Sequence, residues 1–406
     1  MTQNNSLRIA LFTYSTKPRG SVIHTLELAE ALHKLGHAVC VYALDKDGQG
    51  FDYPLSCNYY LIPAKPAPNQ IDQLIQQRIQ EFVEYLNIDQ LNYDCYHAQD
   101  CLSANALAIL AQQQKISGFI RTVHHIEDYV SPYLQHCQDR SIRAAALCLC
   151  VSDRWQTELQ QQYQIPAPRV VNGVNTQRFS PLPNGSESSL KQRLGLTGAP
   201  IYLTVGGIEP RKNSIRLLQA FKHVLEDHPT AQLVIAGGAT LFDYQPYRSE
   251  FFAQVEALEI AIDRSLVLPG VIADVDLPAL YRTADAFVFP SLVEGWGLVV
   301  LEAIASGLPV ITSQEPPFTE FLDSTQALLV DPNSTAAIAQ AMQKILDPVV
   351  ASQLKQASQS VLTHYDWQTS AQMHLFHYRE LLSRQNVCKS PKNLDLGRII
   401  TCPSIP

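Results

Sequence analysis

Two adjacent cations, Arg211 and Lys212, follow a pair of glycines in Gly206-Gly207-Ile208-Glu209-Pro210-Arg211-Lys212-Asn213. Glycine lets a backbone approach a ligand closely, and a guanidinium and an ammonium each give phosphate oxygens a charge-assisted hydrogen bond worth about 1.5–3 kcal/mol. The same residues would also make a polar turn with two solvated cations. Their place after a strand-like run, Ile201–Val205, and before a helical pattern from Ser214 favours an anion site.

A second stretch, Pro290-Ser291-Leu292-Val293-Glu294-Gly295-Trp296-Gly297-Leu298-Val299-Val300-Leu301-Glu302-Ala303, carries two carboxylates. The free amides of Gly297 and Leu298, at a helix start, would attract an anion. Glu294 alone would be a helix-dipole partner worth under about 1 kcal/mol. Glu302 lies among Leu, Val, Ala and Ile and needs partners, which two ribose hydroxyls would supply as well as a protein group. If both glutamates were helical they would stand about 12 Å apart, beyond the roughly 5–9.5 Å of a glycosidase acid and nucleophile.

Histidines follow in Arg121-Thr122-Val123-His124-His125 and in Tyr96-His97-Ala98. Neighbouring side chains on an extended chain point in opposite directions, and no His-x-x-x-His spacing accompanies them, so no metal site is expected. His124, at a strand end, reads as a polar group on a cleft wall, with a capping role as the alternative. For His97 both readings stay open. The loop Tyr14-Ser15-Thr16-Lys17-Pro18-Arg19-Gly20-Ser21 lacks Gly-x-Gly-x-x-Gly, which argues against a dinucleotide oxidoreductase even though Asp45 ends the second strand where a ribose-binding acid would stand.

These residues need elements to position them. Residues 7–13 read as a buried strand, the pattern Val22, Leu26, Ala29, Leu32 as a helix closed by Gly36, and 38–44 as the next strand, a βαβ unit that implies a parallel sheet. Further signals run through 104–111, 118–123 and 144–151. Residues 179–200 break the periodicity as a linker, and a second alternation follows, with strands at 201–205, 232–236, 266–268, 286–290, 309–312 and 328–330. The expected fold is therefore α/β, two doubly wound Rossmann-like domains facing across a cleft: 1–178, then 201–364.

With 406 residues, 46% hydrophobic and 17% charged, the chain has material for two packed cores. A net charge of −8 without a basic run disfavours nucleic acid and anionic membrane, leaving room for only a weak peripheral membrane contact. No transmembrane segment and no signal peptide are read, so a cytoplasmic location is expected. The nine cysteines lack Cys-x-x-Cys pairing and read as reduced core thiols.

With these residues assembled, the chain resembles glycosyltransferase family 4, retaining enzymes of the GT-B fold. The resemblance rests on Glu294 and Glu302 in Phe-Pro-Ser-Leu-Val-Glu-Gly-Trp-Gly-Leu-Val-Val-Leu-Glu-Ala, on Gly207 to Asn213, on Asn172-Gly173-Val174-Asn175, on Thr122-Val123-His124, and on Tyr365-Asp366-Trp367. It implies a C-terminal helix, 365–386, that crosses back onto the N-terminal acceptor-side domain, with 387–406 a tail read as a disordered segment. It further implies a nucleotide-sugar donor, no cofactor and no metal. Arg211 and Lys212 would hold the donor diphosphate and stabilise its departure. Glu302 would take the ribose, Glu294 would stand near the donor sugar, and Gly297 and Leu298 would present amides. His124 would lie on the opposite wall, and Gly20 and Gly207 in loops facing the diphosphate. The family's first loop has two glycines where this chain has Gly20-Ser21, and Gln314-Glu315-Pro316-Pro317-Phe318-Thr319 replaces a glycine-rich stretch, so the phosphate and sugar contacts depart from the pattern, while the Tyr-Ser-Thr-Lys-Pro-Arg loop suggests a distinct subgroup with an altered acceptor site; the acceptor stays unidentified. A phosphorylase or sucrose-synthase-like enzyme, or a silent nucleotide-sugar binder, are the alternatives.

Overall fold

The computed structural model describes residues 6–88, 92–238 and 244–389. The first half folds into six parallel strands, β1 (Arg8–Thr13), β2 (Ala38–Asp45), β3 (Asn58–Pro63), β4 (Cys95–Ala98), β5 (Ile120–Val123) and β6 (Leu147–Cys150), in the order β3-β2-β1-β4-β5-β6. The second half repeats the plan with β7 (Ile201–Val205), β8 (Gln232–Ala236), β9 (Leu266–Gly270), β10 (Ala286–Phe289), β11 (Val310–Ser313) and β12 (Leu328–Val330), ordered β12-β11-β10-β7-β8-β9. Both sheets thus have the same doubly wound order, read from opposite edges. Central strands such as Arg8–Thr13 and Gln232–Ala236 are near-continuous apolar runs because helices cover both of their faces.

The order reverses between β1 and β4 in one sheet and between β7 and β10 in the other. Adjacent loops there leave toward opposite faces and open a crevice at the carboxyl ends of the strands. Four loops therefore frame the space between the domains: 14–19, 99–100, 206–213 and 290–297.

The helix Trp367–Lys389 crosses back to the N-terminal domain, as expected. It lies along the helix Gly20–Lys34, and Trp367, Ala371, Leu375 and Tyr378 join one core with Ile9, Leu11, Val22 and Leu26. Gly173 permits this return, since a Cβ there would overlap the backbone of Asp366 and Trp367. Within 179–200, residues Glu187–Leu194 form a helix whose Leu190 is buried, and Arg282 Nε donates to Glu187 at 2.6 Å, so this segment packs with the second domain. Residues 387–389 continue the last helix, and the rest of the tail lies outside the described residues.

β3, β4 and the helix Ile71–Ile88 were not legible as elements. β4 has only four residues, and one of them is His97, fully buried. Its ring accepts or donates 2.6 Å from Tyr378 Oη and 2.7 Å from Thr122 Oγ1. His97 therefore fastens the returning helix to the sheet and does not line the cleft.

Candidate functional site

The sequence places Arg211 and Lys212 at the β7 switch-point loop and Glu294 at the β10 switch-point loop, and the fold brings them together. Lys212 Nζ lies 2.6 Å from Glu294 Oε1, and Arg211 Nη1 lies 3.1 Å from the same carboxylate. Arg211 Nε also meets Glu209 at 3.0 Å, and from the other domain Arg19 approaches Glu209 at 3.9 Å. Glu209 and Glu294 are buried, so each must be paired. Burial opposes the charge of Arg211, but Glu294 and Glu209 more than offset it and raise its pKa. Lys212 is different: burial and then the adjacent Arg211 bring its pKa down to about 8 despite Glu294. The face of Phe289, 4.4 Å away, gives this ammonium a cation–π contact.

Helix starts around this cluster carry no side-chain cap. Gly20–Lys34 begins after Arg19, Ser214–Asp227 after Asn213, and Leu298–Ala305 after Gly297 at φ +112°. Other helices are capped by a side chain, as by Asp100, Ser131, Ser152, Ser334 and Asp347, and others again are not. Among the described residues no protein acceptor takes the amides of Gly297 and Leu298, which leaves the dipole end of their helix open to a ligand.

The glycines divide by cause. A Cβ on Gly297 would stand 2.7 Å from the Phe318 ring, and one on Gly207 would stand 2.5 Å from the Gly238 carbonyl oxygen. Both have packing reasons to be glycine. Gly20 has none: no atom stands within 4 Å of where its Cβ would be, and the residue is exposed. Gly295 allows a close approach of the two domains, because a Cβ there would meet the His124 carbonyl oxygen at 2.5 Å. Trp155 Nε1 donates to the Glu294 carbonyl at 3.2 Å across the same seam, and the Asp153 and Arg154 amides donate to Glu320.

Glu302 does not share this cluster. The Tyr281 hydroxyl donates to its Oε2 at 2.7 Å, and burial raises its pKa. That hydroxyl is its one hydrogen-bond partner among the described residues. The two glutamates therefore work on separate partners, one with cations and one with hydroxyls.

His124 turns inward. Its Nε2 lies 3.1 Å from Gln99 Oε1 and its ring packs edge-on against His24 at 4.7 Å, with burial holding it neutral. His125 points away and meets Glu127 at 3.0 Å. Asp45 is not available to a ribose, since its carboxylate accepts from the Gly48 and Gly50 amides at 3.1 and 3.2 Å. Sequence reasoning passed over Glu209, Gln99 and Tyr281. An acid directly before Pro-Arg-Lys was a usable signal for Glu209; nothing local marks Tyr281 as the partner of Glu302.

The chain is similar to known proteins along most of its length. The family described as Glycosyltransferase Family 4 matches residues 18–178, and that described as Glycosyl transferases group 1 matches residues 186–360. Alpha-monoglucosyldiacylglycerol synthase of Streptococcus pneumoniae is 30% identical over 332 residues, 76% of this chain and 72% of that protein. O-antigen chain mannosyltransferase B of Escherichia coli is 31% identical over 230 residues, 55% of this chain; the match spans only 57% of that relative's length. HepE of Anabaena, solved in complex with UDP-glucose, shares the fold at a TM-score of 0.72 and 18% identity, covering 93% of this chain and 100% of that one.

Proposed function

Since this chain belongs to glycosyltransferase family 4, the group 1 glycosyl transferases, we propose that it moves a hexosyl group from a nucleotide-diphosphate sugar to an acceptor, with retention and without a metal ion. The observation that carries this reading is the pair Arg211 and Lys212, set beside open helix starts at the β7 and β10 switch point and oriented by Glu294. Two fixed cations and two or more unbonded amides offer a diphosphate what a metal ion would otherwise supply. They are oriented before the ligand arrives, so little reorganisation is needed as negative charge builds on the departing oxygen. The UDP-glucose in HepE, a protein of like fold, supports a nucleotide-sugar donor.

Glu302 would accept from the ribose hydroxyls and Glu294 would lie beside the donor sugar. His124, neutral and held by Gln99, would face that sugar from the acceptor-side domain. Contact of the domains at Gly295 and His124 would exclude water from the transfer. Retention fits an acceptor that attacks from the face the diphosphate leaves, for which the cations on that face are suited. Donor sugars carrying UDP, GDP or ADP, incubated with EDTA and an acceptor panel, test the reading: transferred sugar of unchanged anomeric configuration by NMR is expected. Inversion, dependence on an added divalent ion, or turnover that requires inorganic phosphate would overturn it.

A further inference from the structure

Lys46 stands one residue beyond β2, at the carboxyl edge of the first sheet, with its ammonium 4.8 Å from the centre of the Tyr14 ring. Its loop is fixed, because Asp45 holds the Gly48 and Gly50 amides and both glycines adopt positive φ, +72° and +69°. Tyr14 lies within the fields of Arg19, Arg211 and Glu209. Lys46 thus borders the same cleft as the donor cations, from the acceptor-side domain.

The nearby carboxylates are committed elsewhere. Asp47 pairs with Lys17 at 2.5 Å, Glu81 with Arg78 at 2.8 Å, and Asp100 accepts from the Ser103 amide and hydroxyl at 2.8 and 3.0 Å. Among the described residues Lys46 has no ion pair and no hydrogen bond, only the face of Tyr14. Burial, and then the guanidiniums of Arg78 and Arg19, lower its pKa to about 8. Lys212 is shifted to the same value yet has Glu294 at 2.6 Å. Lys46 is the comparable cation with no carboxylate in ion-pairing contact among the described residues, Asp100 and Glu81 acting on it only from a distance, and a half-buried ammonium among cations is stabilised by an anion arriving from the cleft.

We propose that Lys46, with the guanidiniums of Arg19 and Arg78 acting on it, receives a phosphoryl group carried by the acceptor, so that the enzyme glycosylates a phosphorylated molecule. A phosphoryl group, with up to two charges and three acceptor oxygens, suits several cations better than a carboxylate does. The assignment rests on the glycosyltransferase reading, and its test keeps the two apart.

Protein saturated with its nucleoside diphosphate is titrated with methyl phosphate, with thermal unfolding as readout, and floated with phosphatidic acid vesicles against diacylglycerol vesicles. The expected result is a further rise in the midpoint with methyl phosphate, or selective binding to phosphatidic acid, lost in Lys46→Met and kept in Lys46→Arg, while the rise caused by the nucleotide is unchanged in both variants. Methyl phosphate alone would mark a small phosphorylated acceptor, and vesicles alone a lipid phosphate. A nucleotide rise with neither response, or a response that Lys46→Met retains, would overturn the proposal. A wild type that no nucleotide stabilises would instead count against the donor reading.

Discussion

Lys212 places its ammonium 2.6 Å from Oε1 of Glu294, a residue 82 positions away, and Arg211 reaches the same carboxylate. The cations assigned to the donor are therefore already paired before any donor arrives. Glu294 keeps two partly buried positive charges in one place, and a diphosphate would meet them oriented rather than collect them.

This arrangement gives donor binding a pH dependence. The Lys212 pKa is lowered to about 8, so the ammonium is lost as pH rises through that value. Affinity for the nucleoside diphosphate is expected to be flat from pH 6.5 to 7.5 and to weaken by about tenfold per pH unit above the inflection, if binding requires the charge. Calorimetric titration across pH 6.5–9.5 checks this, and Lys212→Met should bind weakly without an inflection.

Glu302 and Tyr281 yield a second expectation. If Glu302 accepts from the ribose, a 2′-deoxynucleoside diphosphate should bind about tenfold more weakly than the ribonucleotide, and Glu302→Gln should remove most of that difference. Tyr281→Phe takes away the hydroxyl at 2.7 Å and should lower stability by about 1–3 kcal/mol, read by denaturant unfolding, because a buried carboxylate loses its partner.

Gly295→Ala isolates domain contact from donor binding. The added methyl would meet the His124 carbonyl oxygen at 2.5 Å, a backbone atom that cannot rotate away. Transfer is expected to fall by at least about tenfold, since small misplacements across an active site cost that much or more, while the nucleotide still raises the unfolding midpoint. Unchanged turnover would mean that the domains do not need this approach.

Glu27, buried in the helix Gly20–Lys34, gives a stability test. Burial raises its pKa from 4.5 to about 7. In that window the folded state holds a proton that the unfolded state has released, so stability falls as pH rises. The shift amounts to about 3 kcal/mol at about 1.4 kcal/mol per unit. Glu27→Gln should lose this contribution to the slope between pH 5 and 8 in urea unfolding, and be the more stable protein at pH 8.

The parts of the fold that were legible are those where the physics is local. Apolar runs such as Ile201–Val205 and Gln232–Ala236, bounded by glycine and followed by helical periodicity, mark parallel strands by themselves. Arg211, Lys212 and Glu294 were legible because switch-point loops follow such strands, and Glu302 because a carboxylate stands out among Leu, Val, Ala and Ile in its helix. What escaped depends on contacts between distant residues. β4 hides because His97 is polar in isolation and finds Tyr378, 281 residues on, only in the folded chain. Glu302 needed a partner, and that the partner is Tyr281 is a fact of packing. Lys46 is ordinary in sequence and becomes unusual only when each neighbouring carboxylate is seen to be occupied.

The most direct test of the central claim is thermal unfolding of the wild type, Arg211→Ala and Glu302→Ala with UDP, GDP, ADP and NAD, each with and without EDTA. Ligand at about 100 times its dissociation constant adds about 2.7 kcal/mol, enough to raise the midpoint by several degrees. One nucleoside diphosphate should raise the wild-type midpoint whether or not EDTA is present, and the rise should be clearly smaller in both variants, about half as large for a tenfold loss of affinity. A rise with NAD alone, a rise abolished by EDTA, or one undiminished by both substitutions would contradict a metal-free donor site built on Arg211, Lys212 and Glu302.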